Sequence, residues 1–396
     1  MEKNVKNAVH YIQPQYYKKF ECIGGSCQMS CCIGWGIDWT KDAVERIRTV
    51  ECSEHLKGLV QNSFVELDNG VYRITLDENG RCPFLTEDNF CTIQREIGSE
   101  YFSIVCSSYP RVIAKTKNFV SNCCHLSCIH VVDMLLNERD SMKLERRIKN
   151  MSEKQQKLEI PHDSLLYSKH PELNYRRQLF ELYYDIISNE SHSLEVSVLW
   201  GSFASLNLTD IVSKGKHHLI LNAIKQIWEE TNKTELSDKL EAIQPDYDIK
   251  LKFVICLQNK LQGSNIFNDI IADENTFDIE KFQEGERRFN EAFADRPFAL
   301  RNIALGLLMD LDIPFRSVDK SIFDNYCYFI ASFVIAKLMG PVVFLKYTSD
   351  PELEYKKLVA LINRSFAHNE KNIDLIIELL KQFRCDVPAN LAAIIK

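Results

Sequence analysis

The sequence predicts an α+β protein, a small Cys-rich metal-binding module with short strands joined to a larger, mainly α-helical domain. Three observations predict it. Eleven of the fourteen cysteines lie within the first 128 residues. The same stretch holds short β-forming runs broken by turn residues. Beyond residue 130, apolar residues recur at helical spacing. A chain of 396 residues has room for roughly two to three domains. The expected division is 1–130 for the Cys-rich module and 131–396 for the helical domain.

The opening stretch, MEKNVKNAVHYIQPQYYKKFE, has no apolar core and no small-residue cleavage site, so it does not read as a secretory signal. A cytoplasmic location is therefore expected. Thiols stay reduced there, which makes disulfides a poor explanation and metal binding the better one. FVELDNGVYRITL (64–76) places Asn69-Gly70 between β-formers and predicts a hairpin. NFCTI (89–93) and RVIAKTKNFV (111–120) read as further short strands. Gln94 to Tyr109 reads as a short helix stopped by Pro110. A module this small commonly needs a metal to hold it together.

From Val131 to Ile160 the chain is charged and helical in period, with Glu145-Arg146-Arg147 read as a solvated helix face. Helical windows follow: RRQLFELYYDII, KHHLILNAIKQIWEE, LKFVICLQNKLQ, FALRNIALGLLMDL, NYCYFIASFVIAKLM and KNIDLIIELLKQF. The most apolar stretch, Asn325 to Ala336, reads as a buried helix ended by Lys337 and Gly340-Pro341. It falls short of a spanning segment, although peripheral membrane contact is left open. No internal repeat or low-complexity segment is evident.

Composition narrows the function classes. With 45% hydrophobic and 26% charged residues, the chain is not disordered throughout, and 14 Gly and 11 Pro exclude a collagen-like chain. A net charge of −7 disfavours a nucleic-acid partner.

The chemistry lies in cysteine blocks. The first is Cys22-x4-Cys27-x3-Cys31-Cys32 on a loop with Gly24 and Gly25, which allow the backbone to wrap a cation. Then come Cys82-Pro83-Phe84-Leu85, Cys91, Cys106 and the group Cys123, Cys124, His125, Cys128. Thiolates suit zinc or iron–sulfur clusters, and spacing does not choose between them. Cys256, Cys327 and Cys385 read as buried hydrophobes; Cys52 is divided between that reading and a ligand.

F-x-C-x-G-x-x-C-x3-C-C-x-G-W (Phe20 to Trp35), C-P-F-L-x5-C (Cys82 to Cys91), C-S-x-Y-P-R (Cys106 to Arg111) and L-S-C (Leu126 to Cys128) resemble the flagellin lysine-N-methylase family. That family is related to zinc- or iron-chelating proteins with a CxxCxxCC signature. The resemblance covers about the first 130 residues. Asn302 and the segment from Arg364 to Asn369 also look similar to family positions. It implies Cys22, Cys27, Cys31, Cys32, Cys82, Cys91, Cys106 and Cys128 as metal positions, with Cys52, Cys123 and Cys124 outside the pattern. It further implies a [4Fe–4S] cluster, S-adenosylmethionine as methyl donor and flagellin as the protein substrate.

Eight thiols exceed the needs of one four-ligand site, so either two sites exist or some thiols are structural. Adjacent Cys31 and Cys32 are not expected to share one metal atom. The sequence carries neither a Rossmann glycine turn nor the radical C-x3-C-x2-C triplet, because Gly34 stands where the third cysteine would be. Trp35 and Trp39 pack the Cys loop, and Trp35 is a candidate for the cofactor pocket, as is Arg111. His125 is weighed as a further ligand, and His368 as a capping or core residue. A site at the junction of the two regions is expected. Three other readings remain: a zinc-stabilised binding module, an iron–sulfur redox protein and, more remotely, a disulfide scaffold.

Overall fold

The structure, a computed structural model, describes residues 8–67, 70–151, 163–262, 278–368 and 370–396. Its strands are β1 (Ala8–Pro14), β2 (Asp38–Thr40), β3 (Phe64–Glu66), β4 (Val71–Ile74), β5 (Arg111–Thr116), β6 (Phe119–Cys124) and β7 (Leu144–Asn150). They form two sheets, β5-β6-β1-β7 and β2-β4-β3, and helices make up most of the remainder, so the fold is α+β.

Two cores follow from these sheets. Ile12, Phe119 and Cys123 from the four-stranded sheet join the large core of the helices. The three-stranded sheet builds a smaller core of its own around Trp39, Val44, Ile47, Leu56, Val60, Ile74 and Phe84. The helices Lys41–Thr49 and Glu54–Asn62 that cover it begin where Thr40 and Ser53 accept hydrogen bonds from Ala43 N–H and Leu56 N–H. Such caps satisfy backbone donors that a helix start leaves open.

The hairpin expected at 64–76 is present as β3 paired antiparallel with β4; Asp68 and Asn69 of its turn lie outside the described residues. RVIAKTKNFV supplies β5 and the start of β6, which pair as a hairpin.

Other expectations are corrected. Residues 89–93 form no strand, because the helix Thr92–Glu96 begins within them. The single helix expected over 94–109 is divided at Gly98, whose φ of +96° no helix accommodates. Ser103 then caps a new helix, Ile104–Ser108. After the helix Ile129–Asn137, the charged run is strand rather than helix. β7 pairs with β1 through seven residue pairs, from Ala8↔Asn150 to Pro14↔Leu144. Its charge is that of a sheet edge facing water, where charged side chains discourage further pairing. Residues 152–162 lie outside the described residues.

The helical windows all fall on helices, including Arg176–Ser188, Ile220–Thr231, Tyr247–Gln262, Ala299–Asp310 and Glu370–Gln382. Leu194–Ser213 adds a helix without a polar stripe, buried along most of its length. The stop expected at Gly340-Pro341 is absent: one helix runs Ile322–Lys346. Phe289 packs where a Gly340 side chain would stand, and Gly285 lies against the Pro341 carbonyl. Burial on this scale outweighs the roughly 3 kcal/mol cost of an interior proline. This helix is long and apolar enough to cross a membrane, yet 89% of its most apolar window is buried inside the fold.

Polar groups tie the helices together. Asn302 Nδ2 donates to the Leu135 and Glu138 carbonyls at 3.0 and 3.1 Å and so caps the helix Ile129–Asn137. Fully buried Lys250 meets Glu286 at 2.5 Å.

Gly201 lies where the Leu194–Ser213 helix meets Tyr326, whose hydroxyl donates to the Val198 carbonyl at 3.0 Å. A Cβ there would overlap the Tyr326 ring and hydroxyl. Gly201→Ala should therefore lower the unfolding free energy by about 1–3 kcal/mol in chemical denaturation. An unchanged midpoint would contradict this packing.

Candidate functional site

Between the two cores lies a partly open cavity of about 160 Å³. Cys22, Cys27, Cys31, Cys32, Cys91, Cys106 and Cys128 all line it. Cys82, the eighth position, is buried near Cys32, Cys91 and Cys106 without lining the wall. Segments more than a hundred residues apart in sequence thus bring their sulfurs to one place. All fourteen cysteines are free thiols.

Local chain chemistry explains the convergence. At Gly24 φ is +55°, and a Cβ on Gly25 would lie 2.6 Å from the Asp88 carbonyl, so the loop can pass this close only as glycine. Further along, the loop is zipped to residues 80–82: Gly34 N–H donates to the Gly80 carbonyl at 2.8 Å and Cys82 N–H to the Cys32 carbonyl at 2.8 Å. Ile33 and Arg81 form an isolated bridge, as do Leu85 and Cys91. Cys106 lies in the helix Ile104–Ser108, and Cys128 immediately precedes the helix Ile129–Asn137.

The other wall is tied down by Arg364, on the helix Pro351–His368. Its guanidinium donates to the Met29 carbonyl at 2.9 Å, the Ser127 carbonyl at 3.1 Å and the Ser30 carbonyl at 3.4 Å. One cation thereby fixes the Cys loop, the approach to Cys128 and a helix of the large core. The sequence resemblance touched this segment but gave Arg364 no task, and a clamp onto backbone carbonyls leaves no local pattern to find. His130, also on the wall, was not singled out either.

Trp35 lines the cavity. Its indole N–H donates to the Cys31 carbonyl at 2.5 Å, and its ring stands 6.1 Å from that of Tyr109. Tyr109 Oη is 3.1 Å from Ser127 Oγ. Arg111 does not line the cavity. It donates to the Phe20 carbonyl at 2.9 Å and lies over the Tyr17 and Phe20 rings. Trp39 is buried in the small core. His125 pairs with Asp310, whose other oxygen accepts from Leu126 N–H at 2.9 Å; it is not on the cavity wall. The His368 side chain is outside the described residues. Cys123, Cys124 and Cys385 are buried in the large core, and Cys256, expected to be buried, packs only half-buried against it. Cys327 is buried on the helix Ile322–Lys346, and Cys52 packs half-buried against the small core.

The wall is mostly apolar apart from its sulfurs, and that sets the electrostatics. Burial pushes the Cys82 thiol up to about 12 and the Cys106 and Cys128 thiols up to about 11. Cys27 and Cys91 are also raised by burial. Cys31 and Cys32 share a hydrogen bond, which raises Cys31 and brings Cys32 down to about 7. Apart from Cys32, bare thiolates are thus disfavoured here, and a soft cation would supply the charge that lets several ionise together. Among the described residues, no three Cys, His, Asp or Glu side chains stand close enough to hold a single ion as placed. A cubane cluster spreads its thiolates over separate corner irons, and an all-sulfur wall suits it in donor type.

The fold and cavity define a class: an α+β protein whose N-terminal thiols meet in one pocket clamped by a C-terminal helix. The family model for the FliB lysine N-methylase C-terminal domain matches residues 181–394. The chain belongs to the FliB lysine N-methylase family. It is 31% identical over 147 residues to the lysine-N-methylase of Salmonella typhimurium, covering 34% of each chain. The lysine-N-methylase of Salmonella choleraesuis gives the same identity and coverage. Against the flagellar biosynthetic protein FliU of Salmonella muenchen the identity is 32% over 136 residues, 33% of this chain and 80% of that protein. The alignments thus span about a third of the two lysine-N-methylases. No solved structure matches the chain.

Replacing Arg364 tests the clamp. Arg364→Ala should speed amide hydrogen exchange in residues 27–31 at least tenfold while helix Ile322–Lys346 keeps its protection. Arg364→Lys, a single-point donor, should restore only part. Unchanged exchange in the loop would remove Arg364 from this role.

Proposed function

We propose that the protein methylates lysine side chains of flagellin, using S-adenosylmethionine and a Cys-ligated centre of the [4Fe–4S] type. The single observation that carries the reading is the gathering of seven thiols around one cavity, in a chain whose family is that of a lysine N-methylase. The names of the matched Salmonella proteins support the reaction and its flagellar setting.

The chemical problem is the amine. At neutral pH only about one lysine in a few thousand is uncharged and able to attack a methyl group. An apolar wall favours the neutral amine by desolvating the ammonium. When bound, the cluster would supply an electron source.

The chain's own residues do the rest. Cys22, Cys27, Cys31, Cys32, Cys91, Cys106 and Cys128, with Cys82 behind them, are the groups able to hold the inorganic centre. Trp35 and Tyr109 present aromatic faces on the same wall, suited to a sulfonium or an adenine ring. Arg111 would act only through Phe20, whose carbonyl it holds. Arg364 holds the Cys loop to the segment that leads to Cys128. The reaction belongs in a reducing compartment, in keeping with the cytoplasmic reading.

The test uses full-length protein, isolated and reconstituted without oxygen, with S-adenosylmethionine and flagellin. Peptide mass spectrometry should find lysines heavier by one methyl group, and Trp35→Ala should lower the rate at least tenfold. Absence of any methylated lysine with fully loaded protein would refute the assignment.

A further inference from the structure

The eight thiols do not spread evenly over the pocket; they divide between its two walls. Cys32, Cys82, Cys91 and Cys106 pack against the small core, and Cys27 and Cys128 against the large one. The backbone follows the same division. Cys32 is bonded to Cys82 and its neighbour Ile33 to Arg81, whereas Met29 and Ser30 are tied through Arg364 to Ser127, beside Cys128.

Electrostatic proximity agrees. Cys82 and Cys106 each sense Cys32 and Cys91, and Cys91 senses Cys32. On the other side Cys128 senses Cys27 and Cys22, while Cys31 senses Cys22 and Cys128. The links across are the neighbours Cys31 and Cys32, whose thiols share a hydrogen bond, and a weaker influence of Cys32 on Cys27.

Resting on the reading that these thiols bind metal, we infer that the pocket holds two sulfur-ligated centres side by side, one on Cys22, Cys27, Cys31 and Cys128 and one on Cys32, Cys82, Cys91 and Cys106. The peptide bond between Cys31 and Cys32 is the seam, each residue serving its own centre. Metal binding would release both thiol protons to solvent and replace the hydrogen bond between them by two metal–sulfur bonds.

The two quartets differ in setting. Cys82 is buried, and its quartet rests on the small core, so a cluster with these four thiolates on separate irons would be closed and structural. Cys22 is exposed, and its quartet lies beside Arg364 and His130 on the open cavity, so this is the centre that solute can reach. A small core of this size gains most from a metal staple, which gives the second centre a task that needs no substrate.

The experiment measures iron, zinc and acid-labile sulfide per chain, with Mössbauer spectra, on full-length protein isolated without oxygen. Wild type should carry two separable sets of metal. Cys22→Ser/Cys27→Ser should lose one set and keep the other at full intensity; Cys82→Ser/Cys91→Ser should do the reverse. If the latter fails to fold, the Cys22/Cys27 variant decides: loss of one set supports two centres, and loss of both or of neither overturns them. Wild type holding a single centre would overturn this inference and leave the metal-binding reading standing. Wild type holding no metal would end both.

Discussion

Everything in this molecule turns on the cost of gathering sulfur in an apolar place. Thiols from five separate segments meet between two hydrophobic cores. Burial there keeps most of them protonated, with Cys82, Cys106 and Cys128 lifted to about 12, 11 and 11. A protein gains little from so many buried thiols as packing alone, since Val or Ala fills space without their oxidation hazard. A soft cation changes the balance, because each metal–sulfur bond stabilises the thiolate that burial penalises.

The C-terminal helices hold the frame in which this happens. The family match falls on residues 181–394, whereas the thiols lie before residue 129. Arg364 belongs to the matched part and reaches three carbonyls of the thiol-bearing part. Asn302, also in the matched part, caps the C-terminal end of the helix Ile129–Asn137, which follows Cys128 and carries His130. The two halves of the chain are thus coupled at the pocket, and motion of the helix Pro351–His368 would be felt directly by the Cys loop.

Legibility in the sequence followed the range of the interactions. The amphipathic windows and the 64–76 hairpin depend on neighbours a few residues away, and they were readable; 111–120 read as one strand, although the turn at Lys117-Asn118 divides it between β5 and β6. β1 was not, since its identity comes from pairing with β6 and β7 more than a hundred residues later. β7 looked helical because its charges mark a wet edge as well as they mark a wet helix face. The Ile322–Lys346 helix passed Pro341 because Phe289 and Gly285 pack against that point, which no local propensity records. The cysteine blocks were legible by count and order. Their division between two walls was not, because it is made by hydrogen bonds from Cys82 N–H to the Cys32 carbonyl and from the Arg364 guanidinium to the Met29 carbonyl.

Cys22 offers the most direct measurement of the central idea. Its thiol is exposed, so burial cannot protect it, whereas Cys52 is half-buried and lies outside the proposed ligands. Mass-mapped alkylation of protein isolated without oxygen, before and after chelation, separates the two causes. The account predicts that Cys22 resists alkylation until the metal is stripped and then reacts faster than Cys52. Rapid alkylation of Cys22 in the untreated protein would contradict it.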